Sequence, residues 1–339
     1  MIQKGFKFNE LDKQPLADKI AEEFLEDLNR FHSKPYPIDK ETDMALHKAY
    51  YEIMQEDYRE KYFKDVDLYF SPSSATSCPR ELFLKNKGHN RDAVEVVAHR
   101  TRWQNIGTAI GDMIQKDVLL MEKHLDNNRF AFNRVENNYP QFEEFAYIAK
   151  PINFNGNKFH LVGTTDGIMQ YKNMHKVGLE IKSKQTSYSG TGYYSMKEAD
   201  PKHVAQCVAY SLMYGVNYWV ICYVNASKKS WNMTEEDIAK YPDVRTFGIY
   251  ITDDMKLQLL SYLSDVVTAI KEDKIPELDI TKWTFNNYKE ACIKVTTLEE
   301  IEKIRVNYNA GKYNFLPKYQ LKSVLSSINY IEERIKNRG

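Results

Sequence analysis

The sequence is poor in cysteine and contains no long apolar run. Its 339 residues include four cysteines, Cys78, Cys207, Cys222 and Cys292, which are too far apart for a disulfide framework or a CxxC zinc motif. No apolar stretch approaches the roughly 20 residues that cross a bilayer, and the first residues lack the apolar core of a signal peptide. We therefore expect a cytoplasmic protein that does not associate with a membrane.

The sequence also lacks net charge and the common nucleotide and zinc motifs. It has no GxxxxGK loop and no HExxH pair, so ATP-driven activity and a zinc site of that kind are not expected. Basic and acidic residues number 47 each, but residues 1–67 carry 11 basic and 16 acidic ones, whereas residues 180–231 carry six lysines and three acids. A basic centre favours a local phosphate-binding surface, although charged runs are more often solvated faces.

Apolar periodicity divides the chain into three predicted regions. Residues 1–69 have apolar side chains at three- and four-residue intervals and predict a helical N-terminal extension. Residues 70–252 form the predicted core, with a helix between Asp200 and Gly215, and residues 253–339 predict a helical region packed on that core. The predicted strands are 145–154, 158–171, 175–184, 217–226 and 244–252. This order indicates an α/β fold with a central mixed β-sheet flanked by helices.

Three charged side chains fall on two neighbouring predicted strands. Asp166 lies in VGTTDGI, and Glu180 and Lys182 lie two residues apart on the next strand, hence on one face of the sheet. Two close carboxylates repel each other unless they share a cation, and such oxygen ligands suit Mg²⁺ or Mn²⁺. Lys182 beside such an ion would hold a water molecule or a phosphate. A surface ion pair between Glu180 and Lys182 is the competing interpretation.

The predicted helix after these strands carries a polar stripe. Gln206 and Tyr210 are i, i+4 neighbours, and His203 lies one turn earlier. If this helix packs just after the Glu-x-Lys strand, the stripe reaches the reactive centre and its substrate. An ordinary amphipathic helix explains the same pattern about equally well.

In combination, these residues resemble the PD-(D/E)XK nuclease superfamily and, within it, the RecB-like branch, above all phage exonucleases and the nuclease of CRISPR spacer acquisition. The family pattern is an acid, then (D/E)-x-K, then Q-x-x-x-Y on the following helix. It is matched by Asp166, by Glu180-Ile181-Lys182 and by Gln206-Cys207-Val208-Ala209-Tyr210. The resemblance covers residues 70–225 and implies a restriction-endonuclease-like core.

The resemblance also implies roles for these residues. Asp166, Glu180 and the Ile181 carbonyl would bind Mg²⁺ or Mn²⁺, and Lys182 would position the water that attacks the phosphodiester. The two polar residues of the following helix would organise the site and the DNA strand.

Two features depart from the family pattern. Many RecB-like nucleases have a helical motif G-x-x-x-H-x-x-x-(E/Q) whose histidine binds metal, but this chain has Gly111 at that place. The metal then has one ligand fewer, or Asp112 or Gln115 replaces it. Relatives with an iron–sulfur cluster use one N-terminal and three C-terminal cysteines, and here only Cys78 and Cys292 fall in those regions, so we expect no cluster.

Five further residues are candidates for nucleic-acid binding. Ser73 and Arg80 lie near a predicted helix start and would bind a phosphate there, although capping explains the pattern at least as well. Tyr188 would stack on an unpaired base, or is an ordinary surface aromatic. Lys184 belongs to the basic centre, and His203 belongs to the polar stripe of the helix.

The leading hypothesis is a metal-dependent DNA exonuclease of phage or bacterial recombination, repair or replication. An endonuclease or nickase with the same core is the second hypothesis, because the metal site does not set the mode of attack. A catalytically silent DNA-binding accessory protein is the third, because the motif-helix histidine is missing. The expected partner is single- or double-stranded DNA, and a recombination or single-strand-binding protein is a further candidate. The composition, rich in Lys, Asn and Tyr, suggests a low-GC bacterium or its phage.

Overall fold

The computed structural model describes residues 13–337, which form two compact units. Among the described residues, unit one comprises 13–66, 96–150 and 161–258. Unit two comprises 67–95, 151–160 and 259–337. The first twelve residues of the predicted N-terminal extension lie outside the described residues, as do the last two of the C-terminal region. The three-part division at residues 69 and 252 stays a prediction.

Helices occupy both ends of the chain and separate the strands. The helices are α1 Lys13–His32, α2 Lys40–Ile53, α3 Tyr58–Phe63, α4 Pro79–Asn86, α5 Ala98–His124, α6 Pro201–Tyr214, α7 Glu235–Lys240, α8 Asp253–Lys271, α9 Lys289–Val295, α10 Leu298–Asn309 and α11 Lys318–Lys336. Short 3₁₀ turns cover Pro72–Ser74, Glu136–Asn138, Glu143–Ala146, Tyr188–Thr191 and Ile280–Phe285. In the described range, no helix is both long enough and apolar enough to span a bilayer.

The strands form one five-stranded and one three-stranded sheet. They are β1 Tyr69–Phe70, β2 Phe130–Phe132, β3 Ile148–Phe154, β4 Asn157–Gly163, β5 Gly167–Tyr171, β6 His175–Lys184, β7 Tyr218–Asn225 and β8 Val244–Tyr250. The five-stranded sheet has the order β2-β5-β6-β7-β8; β6 and β7 are parallel and the other pairs are antiparallel. The predicted α/β class, with a mixed central sheet flanked by helices, is confirmed.

The crossover from β6 to β7 runs through α6, as a parallel pair requires. Asp200 caps this helix by accepting a hydrogen bond from the Lys202 N–H at 2.9 Å, and Gly215 ends it with a φ of 68°. Gly178 on β6 lies opposite Trp219 on β7, and a Cβ at Gly178 would lie 2.3 Å from the indole ring. The glycine therefore makes room for an indole that stacks on Tyr210 of α6, with ring centroids 5.5 Å apart.

The opposite face of the sheet packs against α1 and α5. Apolar side chains from both helices and from alternate strand positions form one buried cluster there. Members of that cluster include Phe24, Leu28, Ile114, Val118, Leu179, Ile181, Val220 and Cys222. Side chains alternate along β6: the odd-numbered ones point into this core and the even-numbered ones point toward α6. This alternation sets the two faces of the candidate site.

One predicted strand is interrupted in the structure, and another, 145–154, begins later, at Ile148. The sequence pattern predicts a continuous strand over 158–171, but β4 ends at Gly163 and β5 begins at Gly167. Thr164 and Thr165 leave the ladder because they bind another segment: the Thr164 hydroxyl donates to the Glu143 carbonyl, and the Glu143 N–H donates to the Thr165 carbonyl at 3.0 Å. Asp166 therefore lies in a turn at the start of β5.

Unit two has a core of its own. Apolar residues of α4, α9, α10, α11 and the 3₁₀ turn Ile280–Phe285 form a buried cluster that includes Trp283, Ile301 and Ile328. Two of the four cysteines, Cys78 and Cys292, are free thiols in this cluster. Residues 151–154 and 157–160 of β3 and β4 lie in unit two, with β1 at the outer side of β4.

Candidate active site

The β5–β6 hairpin brings Asp166 next to Glu180. Gly167 pairs with Leu179 in the antiparallel register, so the preceding Asp166 falls opposite Glu180. The Ile181 N–H donates to Asp166 Oδ2 at 2.5 Å, which fixes one carboxylate oxygen against the backbone of the Glu-x-Lys strand. The two acids that the sequence singled out are thus neighbours in space.

Lys182 connects this pair to α6. Its ammonium group forms an ion pair with Glu180 and donates to Gln206 Oε1 at 3.2 Å. Gln206 Nε2 in turn donates to the Tyr210 hydroxyl at 2.9 Å. Glu180 and Lys182 share one face of β6, as their spacing predicted, and that face is turned to α6. Gln206, the first member of the i, i+4 pair on that helix, contacts the lysine from its other side.

Burial and charge repulsion disturb the ionisation of this group. Burial, and then the Glu180 charge, raises the pKa of Asp166 to about 8. Burial likewise raises the pKa of Glu180, against the lowering effect of Lys182. For Lys182, burial acts to lower the pKa, but the two carboxylates outweigh it and the pKa is raised. Without a further cation, one ammonium group faces two carboxylates that resist ionisation.

Glu143 is a third acid of this site, and sequence reasoning missed it. Its carboxylate accepts a hydrogen bond from Gln115 Nε2 at 3.1 Å, and its backbone has a φ of 43°, in the left-handed region. Burial, and then the Asp166 charge, raises the pKa of Glu143 to about 7. The one sequence signal was a pair of acids, Glu143 and Glu144, between Phe142 and Phe145, two aromatics that both become buried.

A cleft of about 670 Å³ opens on the α5 side of these residues. Its lining includes Tyr50, Gly107, Gly111, Asp112, Gln115, Glu143, Asp166 and Ile181. Asp112 is exposed in the cleft, whereas Gln115 is buried and donates to both Glu143 and the Asp166 carbonyl, the latter at 2.9 Å. Nothing lies within 4 Å of a Cβ built on Gly111, so this part of the cleft is open. The roles of Asp112 and Gln115 as metal ligands stay predictions.

The donor set fits a hard divalent cation. Glu180 is fully buried, and neither of its carboxylate oxygens receives a well-directed hydrogen bond from residues 13–337, although one is ion-paired with Lys182. Within the same residues, no three His, Cys, Asp or Glu side chains are grouped to form a complete metal site. Mg²⁺ is typically bound by one or two carboxylates, and water and substrate oxygens complete its coordination shell.

Two of the predicted nucleic-acid contacts, Lys184 and Tyr188, lie at and just after the end of β6. Lys184 follows Lys182 on the same face, with its ammonium 5.1 Å from the Tyr223 ring centroid. Tyr188 is exposed and its ring packs edge-on against Tyr241 at 5.2 Å. Their roles stay predictions.

His203 does not offer the positive charge that a phosphate contact needs. Its Nδ1 lies 2.8 Å from the Tyr223 hydroxyl, and burial, then the Lys182 charge, lowers the pKa of His203 to about 4. The imidazole is therefore neutral at neutral pH, and a contact between His203 and nucleic acid stays a prediction.

The prediction for Arg80 is not supported by its environment, because the side chain is enclosed within unit two. Its guanidinium forms a two-pronged ion pair with Glu300, at 2.9 and 2.6 Å, and also donates to Thr296 Oγ1 and the Pro276 carbonyl. The Arg80 guanidinium makes four hydrogen bonds, and the residue is only 3% exposed, so no face of it is free for a phosphate. Ser73, in contrast, is exposed in a 3₁₀ turn of unit two, and its role stays a prediction.

Comparison with known proteins yields structural neighbours only. No family model and no curated protein sequence matches the chain. The alkaline exonuclease LHK-Exo of Laribacter hongkongensis is 12% identical with a TM-score of 0.38, over 63% of this chain and 96% of its own. A phage-related exonuclease of Haemophilus somnus 129PT is 14% identical with a TM-score of 0.33, over 59% and 81%. The protein SSO0001 is 13% identical with a TM-score of 0.39, over 76% and 97%. Two of the three are exonucleases, the class that the motifs resemble, but because every TM-score is below 0.5 we draw no function from them.

Proposed function

We propose that the protein is a metal-dependent deoxyribonuclease, and specifically an exonuclease, that hydrolyses phosphodiester bonds. The observation that supports this most is the fully buried Glu180, unsatisfied by hydrogen bonds, beside a second carboxylate and an ammonium group. Buried acids with raised pKa values are costly unless a ligand compensates them. Asp166 and Glu143, two acids of this group, line an open cleft, which points to a functional site.

Asp166 and Glu180 are the side chains that would hold Mg²⁺ or Mn²⁺, and the Ile181 carbonyl joins them by the resemblance. When bound, such an ion supplies an activated water and neutralises negative charge on the phosphate. Asp166 keeps its second oxygen for this task because only Oδ2 is bound to the Ile181 N–H. Asp166 lines the cleft of about 670 Å³, which is where a phosphodiester would enter.

Lys182 supplies the fixed positive charge of the site. Its ammonium group is oriented by Glu180 and by Gln206, so it is already in place to donate to a phosphate oxygen or to the attacking water. A preorganised donor of this kind stabilises charge that develops in the transition state, because no reorganisation is needed during reaction. Tyr210 acts one step further away, since it holds Gln206.

Metal binding is expected to stabilise the protein more at pH 8 than at pH 6. Because the pKa values of Asp166 and Glu143 are raised to about 8 and about 7, the folded chain binds more protons than the unfolded one between about pH 4 and 8, and metal-free stability falls as the pH rises. At a hundred times its Kd, Mn²⁺ adds about 2.7 kcal/mol to the free energy of unfolding. Differential scanning fluorimetry measures this as a rise in Tm.

The matched control is Glu180→Gln, which keeps the shape of the side chain and removes its charge. The Mn²⁺-dependent rise in Tm should disappear in this variant at both pH values. A rise of equal size in the wild type and in Glu180→Gln would contradict a metal site at these carboxylates.

Digestion of end-labelled DNA tests the proposed activity. With Mn²⁺, linear single- and double-stranded substrates labelled at either end should release label from one end first, and EDTA should stop the reaction. Closed circular DNA of the same sequence should stay intact. Cutting of the circles would assign an endonuclease or nickase to the same site, and binding of DNA without cleavage in any metal would assign an accessory protein.

A further inference from the structure

The first three turns of α5 are exposed on almost every side. Of residues 98–109, called the α5 arm here, only Gly107 is partly buried. The arm carries His99, Arg100 and Arg102, and no acidic residue occurs between Glu95 and Asp112. A helix that buries so little apolar surface gains little from packing, and its positive charge is not neutralised along its own length.

The arm is fixed beside the catalytic strand. A Cβ on Gly107 would lie 3.1 Å from Ser183 Oγ, so the helix passes close to β6 one residue beyond Lys182. Gln185 Nε2 donates to the Trp103 carbonyl at 3.0 Å, which ties a second point of the arm to the end of that strand. The arm therefore has a defined place next to the site.

One face of the arm continues the wall of the cleft. At 3.6 residues per turn, Arg100 and Gln104 fall within about 40° of the cleft-lining Gly111, whereas Arg102 points to the opposite side. Arg100 lies about 16 Å along the helix axis from Gly111. A chain that occupies the cleft and follows this face meets Arg100 a few nucleotides away from Asp166.

The two guanidinium groups and the indole ring of the arm have no hydrogen-bond, ion-pair or ring partner among the described residues. Among the described residues 13–337, the guanidinium groups of Arg100 and Arg102 form no ion pair and no hydrogen bond. Trp103, adjacent to the face of Arg100, has 45% of its surface exposed. An unpaired guanidinium beside an exposed indole offers a phosphate contact and a stacking surface at once, which is the chemistry of single-strand binding.

We propose that the α5 arm grips the single-stranded part of the DNA substrate, with Arg100 on a phosphate and Trp103 stacked on an unpaired base. This assignment rests on the proposed function for its choice of substrate. It adds a binding surface outside the metal-binding residues, and it names single-stranded DNA as the form that the enzyme holds next to the cleft.

The test uses Arg100→Ala and Trp103→Ala in the full chain, with Arg102→Ala as the matched control. The control removes the same charge from the same exposed helix, but from the opposite face. Fluorescence anisotropy in EDTA measures the Kd for a labelled single strand without any cleavage. Trp103→Ala should raise that Kd at least about fivefold, since stacking contributes on the order of 1–3 kcal/mol per base. Arg100→Ala should reduce the slope of log Kd against log salt by about 0.7.

Arg102→Ala should leave both quantities at the wild-type value. Blunt duplex DNA should respond weakly to Trp103→Ala, because paired bases present no free face to the indole. In Mn²⁺-dependent digestion, Arg100→Ala should raise KM and leave kcat unchanged, since it removes binding that is equal in the ground and transition states.

The outcomes separate this proposal from the proposed function. If the wild type cleaves DNA but Arg100→Ala and Arg102→Ala behave alike, the arm proposal fails and the nuclease assignment stands. If the wild type binds single strands with the expected dependence on Arg100 and Trp103 but cleaves in no metal, the nuclease assignment fails and the arm proposal stands. An equal loss of affinity for blunt duplex and single strand in Trp103→Ala would also overturn the stacking contact.

Discussion

Asp166→Asn should reduce kcat for DNA hydrolysis by at least about 10³-fold and should leave the metal-free protein as stable as the wild type or more so. The loss of activity is expected because the variant removes one of the two carboxylates that would hold the metal, and electrostatic stabilisation usually contributes more to catalysis of this kind than any other single effect. The asparagine keeps an oxygen that can accept the Ile181 N–H, so the local backbone contact survives. Its neutrality removes a charge that repels Glu180.

Lys182→Ala should lower activity and stability together. Loss of a preorganised donor costs about 10²- to 10³-fold in kcat. The same change leaves Glu180 buried without its ion-pair partner, so Glu180 must take up a proton and stability falls, most of all at alkaline pH. Both variants should lose kcat, but Lys182→Ala should lower Tm whereas Asp166→Asn should keep or raise it. This combination is expected if Lys182 compensates the charge of buried catalytic carboxylates, and it is not expected of a simple surface ion pair.

The measurements are initial rates on end-labelled DNA and thermal unfolding without metal. Lys176→Ala is the control, because Lys176 lies on the same strand and the same face as Lys182 but is exposed at its far end. It should retain both kcat and Tm. A Lys182→Ala or Asp166→Asn variant with the kcat of the wild type would remove the nuclease assignment.

The part of the site that the sequence predicted depends on local periodicity. Glu180 and Lys182 share a face because strands alternate every two residues, and Gln206 and Tyr210 are neighbours because helices repeat every 3.6. The hairpin register that places Asp166 opposite Glu180 follows from a short connection between β5 and β6. These relations need no knowledge of distant contacts, and the structure has each of them.

The part that the sequence did not predict depends on distant contacts. Glu143 reaches the site because Thr164 and Thr165, more than twenty residues later, bind its backbone in a left-handed conformation. The same contacts break the predicted strand at 158–171. The sequence could not show that Arg80 is enclosed for a similar reason. Glu300, which pairs with Arg80 in place of a phosphate, lies 220 residues away in the chain. Periodicity within one element carries no information about such pairs.

Arg80→Ala should lower the free energy of unfolding by about 3 kcal/mol, and it should do so without a specific effect on DNA binding. The guanidinium is enclosed by Glu300, Thr296 and the Pro276 carbonyl, and breaking a buried pair by removing one partner costs about 3–5 kcal/mol. We expect the lower end of that range because Glu300 retains 21% exposure and can regain part of its hydration. Arg80→Lys should recover only part of the loss, because an ammonium group cannot reproduce the two-pronged geometry.

The control for this prediction is Arg334→Ala, also in unit two. Arg334 pairs with Glu290 at 2.5 Å, but about half of each side chain is exposed, and such pairs contribute about 0–1 kcal/mol. Urea unfolding followed by circular dichroism should therefore give a midpoint near that of the wild type for Arg334→Ala and a clearly lower one for Arg80→Ala. If Arg80→Ala instead keeps the wild-type midpoint and weakens single-strand binding in EDTA, then Arg80 contacts nucleic acid and its ion pair with Glu300 does not stabilise the fold.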